Sequence, residues 1–388
     1  MLPPLSRLLT TKPPFWPEFH SPLRGPAITA RVGRVLGLAF GICFVTGLLS
    51  HYQYHPWSWL PVPASPSWGY RLTQGIHVIT GIACIPLILV KLWSVFHRLF
   101  VWPPVRGAVH ALERASVAIL VASSVLQLIT GLFNILQFYP WPWGFVEVHY
   151  WLSYVIIGSL LLHIAIQLPA IREGLSTRLS DDRGGDQPSE ASSRGGLSRR
   201  QVLIATGAGV GVVAITTVGQ VLPIAEPIAL LAPRRPSRGP QDLPVNNTAR
   251  NAGVIQRATS SSYRLSVTGP RSLELSLSEL EALPTLRRHL PIACVEGWSR
   301  SADWRGPALL SLVTQVGGSA DSFVVLRSLQ EGGYSVSTIQ GSQLEHALLA
   351  THLNGERLSI DHGYPLRLIA PDRAGVLQTK WLHRIEVR

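Results

Sequence analysis

Four stretches of about twenty apolar residues crowd the first half of the chain, and few folds can accommodate them. They occupy residues 32–49, 72–96, 115–136 and 150–169, and a fifth, weaker and glycine-rich, occupies 202–222. A bilayer core about 30 Å thick takes roughly 20 residues of helix. Inside it every backbone N–H and C=O must be satisfied within the segment, which a helix does. The sequence therefore predicts a membrane helical bundle of four spans plus a fifth anchor span. Composition agrees: 46% of the 388 residues are hydrophobic and only 14% charged, too apolar for an ordinary soluble enzyme.

The formal charge of +12 would raise nucleic acid as a partner if it were evenly spread. It is not. Arg24, Arg31 and Arg34 flank the first run, Arg98, Arg106 and Arg114 follow the second, and Arg172, Arg178, Arg183, Arg194, Arg199 and Arg200 follow the fourth. Residues 51–70 and 137–149 hold no lysine or arginine and are rich in tryptophan, as expected at an outer interface. Positive charge stays inside, so the amino terminus is expected in the cytoplasm and everything after residue 222 outside. The pattern is that of membrane topology and points away from nucleic acid.

The chain divides accordingly. Residues 1–30 form a cytoplasmic tail in which no cleavable signal peptide is expected, and 31–172 form the four-span bundle. Residues 173–200 are a Gly-, Ser-, Asp- and Arg-rich linker, 201–222 the fifth span, 223–244 a tether and 245–388 a soluble domain. The linker ends in the LSRRQVL segment, 197–203, whose paired Arg199 and Arg200 before a weakly apolar run fit a twin-arginine export signal. Such a signal serves a domain that acquires its cofactor before crossing. No internal repeats are expected.

In the soluble domain, 263–269, 322–329, 364–370 and 380–387 alternate or run apolar with β-branched residues, as strands do. Residues 277–283 and 308–316 read as short helices starting at Ser276 and Pro307. An α+β domain results. Of three cysteines in the chain, Cys43 and Cys84 lie in apolar runs, which leaves Cys294 alone outside and excludes an internal disulfide there. A lone cysteine is ordinarily a small buried hydrophobe. Here Glu296 follows at i+2, and a strand over 291–295 would put thiol and carboxylate on one face. That pair suits a soft metal with an acid beside it.

Histidines in spans are costly to bury without a role. His51, His55 and His97 sit at span ends, where interfacial residues are common. His77 lies in the second span. His149 and His163 lie fourteen residues apart in the fourth, about 21 Å along one helix face. That spacing suits two stacked b-type haems, with His77 and His149 as the outer pair and His163 joined by His110 or His97 in an inner one.

Residues 31–172 resemble the cytochrome b subunits of formate dehydrogenases and hydrogenases, though the first span lacks the inner histidine usual there. The CVEGWS segment, 294–299, with the HGYPLR and QTKW segments of 361–387, resembles the sulfite-oxidase superfamily of molybdopterin enzymes, nearest by motif to the catalytic subunit of periplasmic methionine-sulfoxide reductase. The resemblance implies that Cys294 ligates molybdenum and that Glu296 is an acid near the metal. It implies that Arg367 and Lys380 hold the pterin phosphate, that Asn246 or Asn247 stands at the entrance, and that Tyr334 matches the active-site tyrosine. His362, Gln378 and Thr379 would face the pterin. No arginine follows Cys294 up to Ser299, unlike the sulfite oxidases, so an S-oxide or N-oxide is favoured over a sulfite dianion.

The reading is a membrane-anchored, molybdopterin-dependent oxidoreductase in the cytoplasmic membrane of a prokaryote. Its partners would be quinone or quinol, a small-molecule or oxidised-protein substrate outside, and the twin-arginine translocase. Two alternatives stay open: an oxidase of a small sulfur compound feeding the quinone pool, and a cofactor-less binding or scaffold protein.

Overall fold

A computed structural model describes residue 12 and residues 24–57, 59–180, 198–232 and 234–388. The expected tail, apart from Lys12 and residues 24–30, and most of the linker, 181–197, lie outside the described residues. Among the described residues, five helices are long and apolar enough to cross a membrane. They are α1 (Pro26–Tyr54), α2 (Gly69–Val95), α3 (Ala108–Leu136), α4 (Phe145–Ser176) and α5 (Arg199–Val218). Most overrun the apolar segments that announced them, because hydropathy marks only the part that must sit in lipid. Prolines Pro86 and Pro169 lie inside α2 and α4, as apolar helices of this kind tolerate.

The chain forms two compact units. One comprises the residues up to Val45 with Ile79–Ile215. Its core is a cluster of Leu36, Cys84, Leu87 and Ile88, against which Phe40, Val125 and Leu128 pack. Gly174 lets α4 approach the start of α1, where a Cβ would stand 2.5 Å from the Pro26 carbonyl oxygen. Arg31 crosses that contact and donates to the carbonyls of Gly174 and Thr177 at 3.1 and 3.0 Å. Only 6% of the most apolar window of α4 is buried, so its apolar surface faces outward, as lipid would require.

The second unit joins Thr46–Val78 to Thr216–Arg388. Its five-stranded sheet places β11 (Leu382–Val387) between β1 (Arg264–Thr268) and β5 (Val324–Ser328), with β2 (Ser272–Ser276) and β6 (Val336–Ile339) at the edges. The β1–β11 pair is parallel and the others antiparallel. Leu309, Leu312 and Val313 of α8 (Leu309–Gln315) are buried at i, i+3 and i+4 in the core this sheet shares, and α6 (Ile255–Ala258) adds Ala258. The helix α7 (Leu277–Ala282) starts at a capping box between Ser276 and Glu279, as its sequence announces.

A second sheet runs β3 (Thr285–Ala293), β4 (Ser299–Pro307), β8 (His352–Leu353), β9 (Glu356–Arg357). Between these strands α9 (Gly341–His346) precedes β7 (Leu348–Ala350), which pairs with β10 (Arg367–Ile369). Strands β1, β5, β10 and β11 fall within the segments expected to be extended. The β3–β4 hairpin was not legible: the first five residues of β3 are exposed, and RSADWRG carries no apolar alternation. The expectation of a strand over 291–295 is corrected too. Strand β3 stops at Ala293, and Cys294 opens a turn in which Gly297 N–H donates to the Cys294 carbonyl and Cys294 N–H to that of Trp298. Gly297 closes it at φ +97°, a conformation other residues rarely adopt.

Candidate functional site

The turn puts the Cys294 thiol on the wall of a cleft that Asn246, Trp298, Tyr334, Arg367 and Lys380 also line. Asn246 holds the sulfur, its Nδ2–H donating at 2.6 Å while its Oδ1 accepts from the Trp298 indole at 3.2 Å. Burial first, and then the charge of Glu296, push this thiol up to about 12. A metal would reverse that, since a coordinated thiol gives up its proton.

Glu296 does not share the thiol's space in the way a strand would impose. It is buried with Trp298, and its Oε2 accepts from Arg234 Nε at 2.7 Å and from the Trp298 indole at 3.1 Å. Burial still holds its carboxyl above the usual range, against the pull of Arg234. The physical reason for the turn-away is that a buried carboxylate needs a cation, and Arg234 of the tether is that cation. Nothing in the APRRPSR pattern distinguishes Arg234 from its neighbours; only the fold selects it.

Across the cleft stand Arg367 and Lys380. Arg367, 3% exposed, lies over the Trp304 ring at 5.5 Å and donates through one terminal nitrogen to the His362 carbonyl at 3.2 Å, while its Nε has no partner. Lys380 donates to the carbonyls of Asn247 and Asp361 at 2.9 and 2.8 Å. Neither cation has an ion-pair partner among the described residues. Burial lowers the guanidinium of Arg367 to about 9, and burial with repulsion from Arg367 lowers Lys380 to about 7. A buried and a half-buried cation side by side without an ion-pair partner are costly, and an anion delivered by a ligand would offset that cost.

His362 also lines the cleft. Its Nε2–H donates to the Pro240 carbonyl at 2.7 Å, and burial lowers its pKa to about 4, so the ring is neutral. Gln378 gives its amide N–H to the carbonyls of Ala370 and Arg373 and leaves Oε1 buried without a partner. Asn247 holds Gln330 at 3.1 Å, and both line the cleft. Tyr334, 45% exposed, stands on the cleft wall with its ring edge-on to Tyr54. Thr379 is buried and pairs its hydroxyl with Ser337 at 2.6 Å.

The histidines of the apolar helices fall in the two units. In one, the His77 ring faces α1: Thr46 Oγ1 is 3.4 Å from Nδ1, and a Cβ at Gly47 would stand 3.1 Å from Cε1. In the other, His149 meets α3 in the same manner, with Thr130 Oγ1 at 3.4 Å from Nδ1 and Gly131 opposite Cε1 at 3.5 Å. His163 follows on the same unbroken α4, and His110 Nδ1 accepts from the Arg106 N–H at the start of α3. The matching environments expose a repeat the sequence reading passed over. Residues 45–59 and 129–143 align without a gap, sharing a Thr-Gly-Leu, a glutamine, a proline and two tryptophans.

Residues 252–388 belong to the family described as the oxidoreductase molybdopterin binding domain. With the sulfite-oxidase relatives this match marks residues 252–388 as a molybdopterin-binding oxidoreductase domain similar to the sulfite oxidases. Among relatives, the uncharacterized oxidoreductase YuiH of Bacillus subtilis is 31% identical over 113 residues, 29% of this chain and 57% of that one. Sulfite oxidase of Gallus gallus is 32% identical over 171 residues, 36% of this chain and 37% of the enzyme. A chain named as a protein-methionine-sulfoxide reductase subunit, YedZ1 of Azospira oryzae, is 26% identical over 135 residues, 34% of this chain and 52% of that one. The chain thus spans little more than half the length of these relatives, or less. The site fits the group: two cations without an ion-pair partner among the described residues, an orphaned Arg367 Nε and a thiol share one cleft.

Proposed function

We propose that the chain draws electrons from quinol at its apolar helices, passes them through one or two b-type haems, and reduces an S-oxide or N-oxide outside the cytoplasmic membrane. The observation that carries the molybdenum half is the pairing of buried Arg367 with half-buried Lys380 in the cleft of Cys294, neither ion-paired among the described residues. Bound there, the molybdenum cofactor supplies oxygen-atom transfer coupled to two electrons. The chain's own residues do the rest. Arg367 and Lys380 take the phosphate, Asn246 orients the Cys294 sulfur, and Tyr334 is assigned the proton delivered to the substrate's oxygen. Asn246, which bonds the Cys294 sulfur, is a neutral dipole, and with Arg367 and Lys380 assigned to the phosphate an uncharged S-oxide is favoured over a dianion. The name of the Azospira relative supports the same class, including an oxidised protein as substrate.

For the haem half, the matched settings of His77 and His149, each ring packed on a Thr-Gly step of a neighbouring helix, support paired roles for the two imidazoles. The sequence-based assignment of His77 and His149 as outer ligands, and of His163 with His110 as inner ones, belongs to this proposal. So do the orientation with the amino terminus inside, the twin-arginine translocase as exporter and the count of five spans. Metal analysis and visible spectroscopy of the purified protein test it, followed by a screen of S-oxides and N-oxides with a viologen reductant. One molybdenum per chain with a reducible b-type haem spectrum is expected. Absence of molybdenum would refute the whole reading, and molybdenum without haem absorbance would remove the electron wire.

A further inference from the structure

Within the compact unit that holds the cleft, the metal-ligand turn leans on one end of α2. Gln74 is 9% exposed, and its Nε2–H donates to the Val295 carbonyl over 2.8 Å, one peptide from the Cys294 thiol. A turn earlier, Tyr70 packs on Ala293 and Ala374, and its N–H is taken by the Asp372 carboxylate. A turn later, Val78 fills the space at Gly297, where a Cβ would come within 2.8 Å of its Cγ1. Tyr70, Gln74 and Val78 recur every four residues, so they form one stripe of the helix.

The Gln74 contact is not needed to close the turn. The Gly297 and Cys294 N–H bonds already do so, and Ser299 N–H is anchored separately on the Gln220 carbonyl at 2.7 Å. What Gln74 adds is a short path of covalent bonds and one hydrogen bond between α2 and the metal-ligand peptide. Three residues further along the same helix is His77, its neighbour on the helix surface. That imidazole is steadied by Thr46 and faces Gly47.

We propose that Gln74 is the electron-entry residue of the molybdenum site, linking a haem ligated by His77 to the Val295 carbonyl, one residue after Cys294. The proposal rests on the haem reading above. In each turnover the haem is oxidised twice, giving one electron each time, and quinol restores both. The two electrons and two protons release one substrate oxygen as water. Gln74 acts as a positioning and coupling residue and touches neither substrate nor metal.

The test uses the full-length holoprotein with Gln74→Leu, which keeps the bulk and loses the N–H donor, and Gln74→Met should the first fail to accumulate. The readout is stopped-flow reoxidation of quinol-reduced haem by excess dimethyl sulfoxide or methionine sulfoxide, followed in the haem band. Beside it are measured molybdenum content, haem content and turnover with reduced viologen, which reaches the metal from solvent. The expected result is haem reoxidation slowed roughly tenfold with contents and viologen turnover within about twofold of the parent. Unchanged haem reoxidation overturns the proposal, because electrons then enter elsewhere. Equal loss of viologen turnover and haem reoxidation also overturns it, showing Gln74 to be a support of the turn. A parent protein without haem overturns it together with the reading beneath it, and the spectrum alone distinguishes that case.

Discussion

Replacing Arg367 by methionine should move the cofactor-free and cofactor-loaded proteins in opposite directions. Burial lowers the guanidinium well below its ordinary range, to about 9, and at 1.36 kcal/mol per unit the cost of holding the charge inside the cofactor-free protein is about 5 kcal/mol. Against this stand one hydrogen bond to the His362 carbonyl, worth about 1–2 kcal/mol, and the contact with the Trp304 face, worth up to about 2 kcal/mol when desolvated. Methionine keeps most of the stem's packing and removes the charge. The cofactor-free variant should therefore be about 1–2 kcal/mol more stable, a rise of several degrees in the melting temperature of a domain this size. The loaded protein should instead lose a desolvated charge–phosphate contact, about 3–5 kcal/mol, so that cofactor retention falls by about 10² or more. Differential scanning fluorimetry of full-length protein from cofactor-deficient and cofactor-competent cells, with molybdenum analysis, reads both effects. A cofactor-free variant that melts below its parent would refute the reasoning, because Arg367 would then be an ordinary core residue.

Three further outcomes follow from the same contacts. His362 has a pKa depressed to about 4 from the ordinary 6.5, so the unfolded chain binds a proton the native one refuses. Stability should be full above about pH 6.5 and fall by about 3 kcal/mol as pH drops to 4, and His362→Gln should flatten that limb of the stability–pH curve. Arg234→Met strands the Glu296 carboxylate and should cost about 2–3 kcal/mol at neutral pH. The loss should grow as pH rises through the native titration of Glu296, which lies above the ordinary carboxylate range, and adding Glu296→Gln should recover most of it in denaturant titrations. Arg199→Lys with Arg200→Lys should leave the cleft-bearing domain inside, protected from external protease; normal exposure to protease would reduce the pair to a topology anchor.

Much of the architecture was legible because its causes are local. A run of twenty apolar residues has one economical backbone conformation in lipid, and a helix covers all or most of each run, the fifth ending at Val218. The Ser276–Glu279 box and the apolar spacing of α8 lie within a few residues of each other, so they too could be read directly. The β3–β4 hairpin escaped because its strands carry charged and small residues whose partners lie across the hairpin. The repeat of 45–59 in 129–143 was present in the letters, yet it drew notice only once His77 and His149 were found beside the same Thr-Gly step.

The sequence by itself settled that Cys294 is the one thiol outside the apolar runs and that distant HGYPLR and QTKW segments belong with it. It also settled that the basic residues of those segments had to be accounted for. Tertiary structure decided how they are used. It ended β3 at Ala293 and turned Glu296 away to Arg234, since a buried carboxylate goes where a cation can reach it. It left Arg367 and Lys380 without an acid, and it brought Gln74 of an apolar helix to the peptide beside the metal ligand. These are relations between residues up to 221 positions apart, set by which surfaces pack together, and no local pattern encodes them.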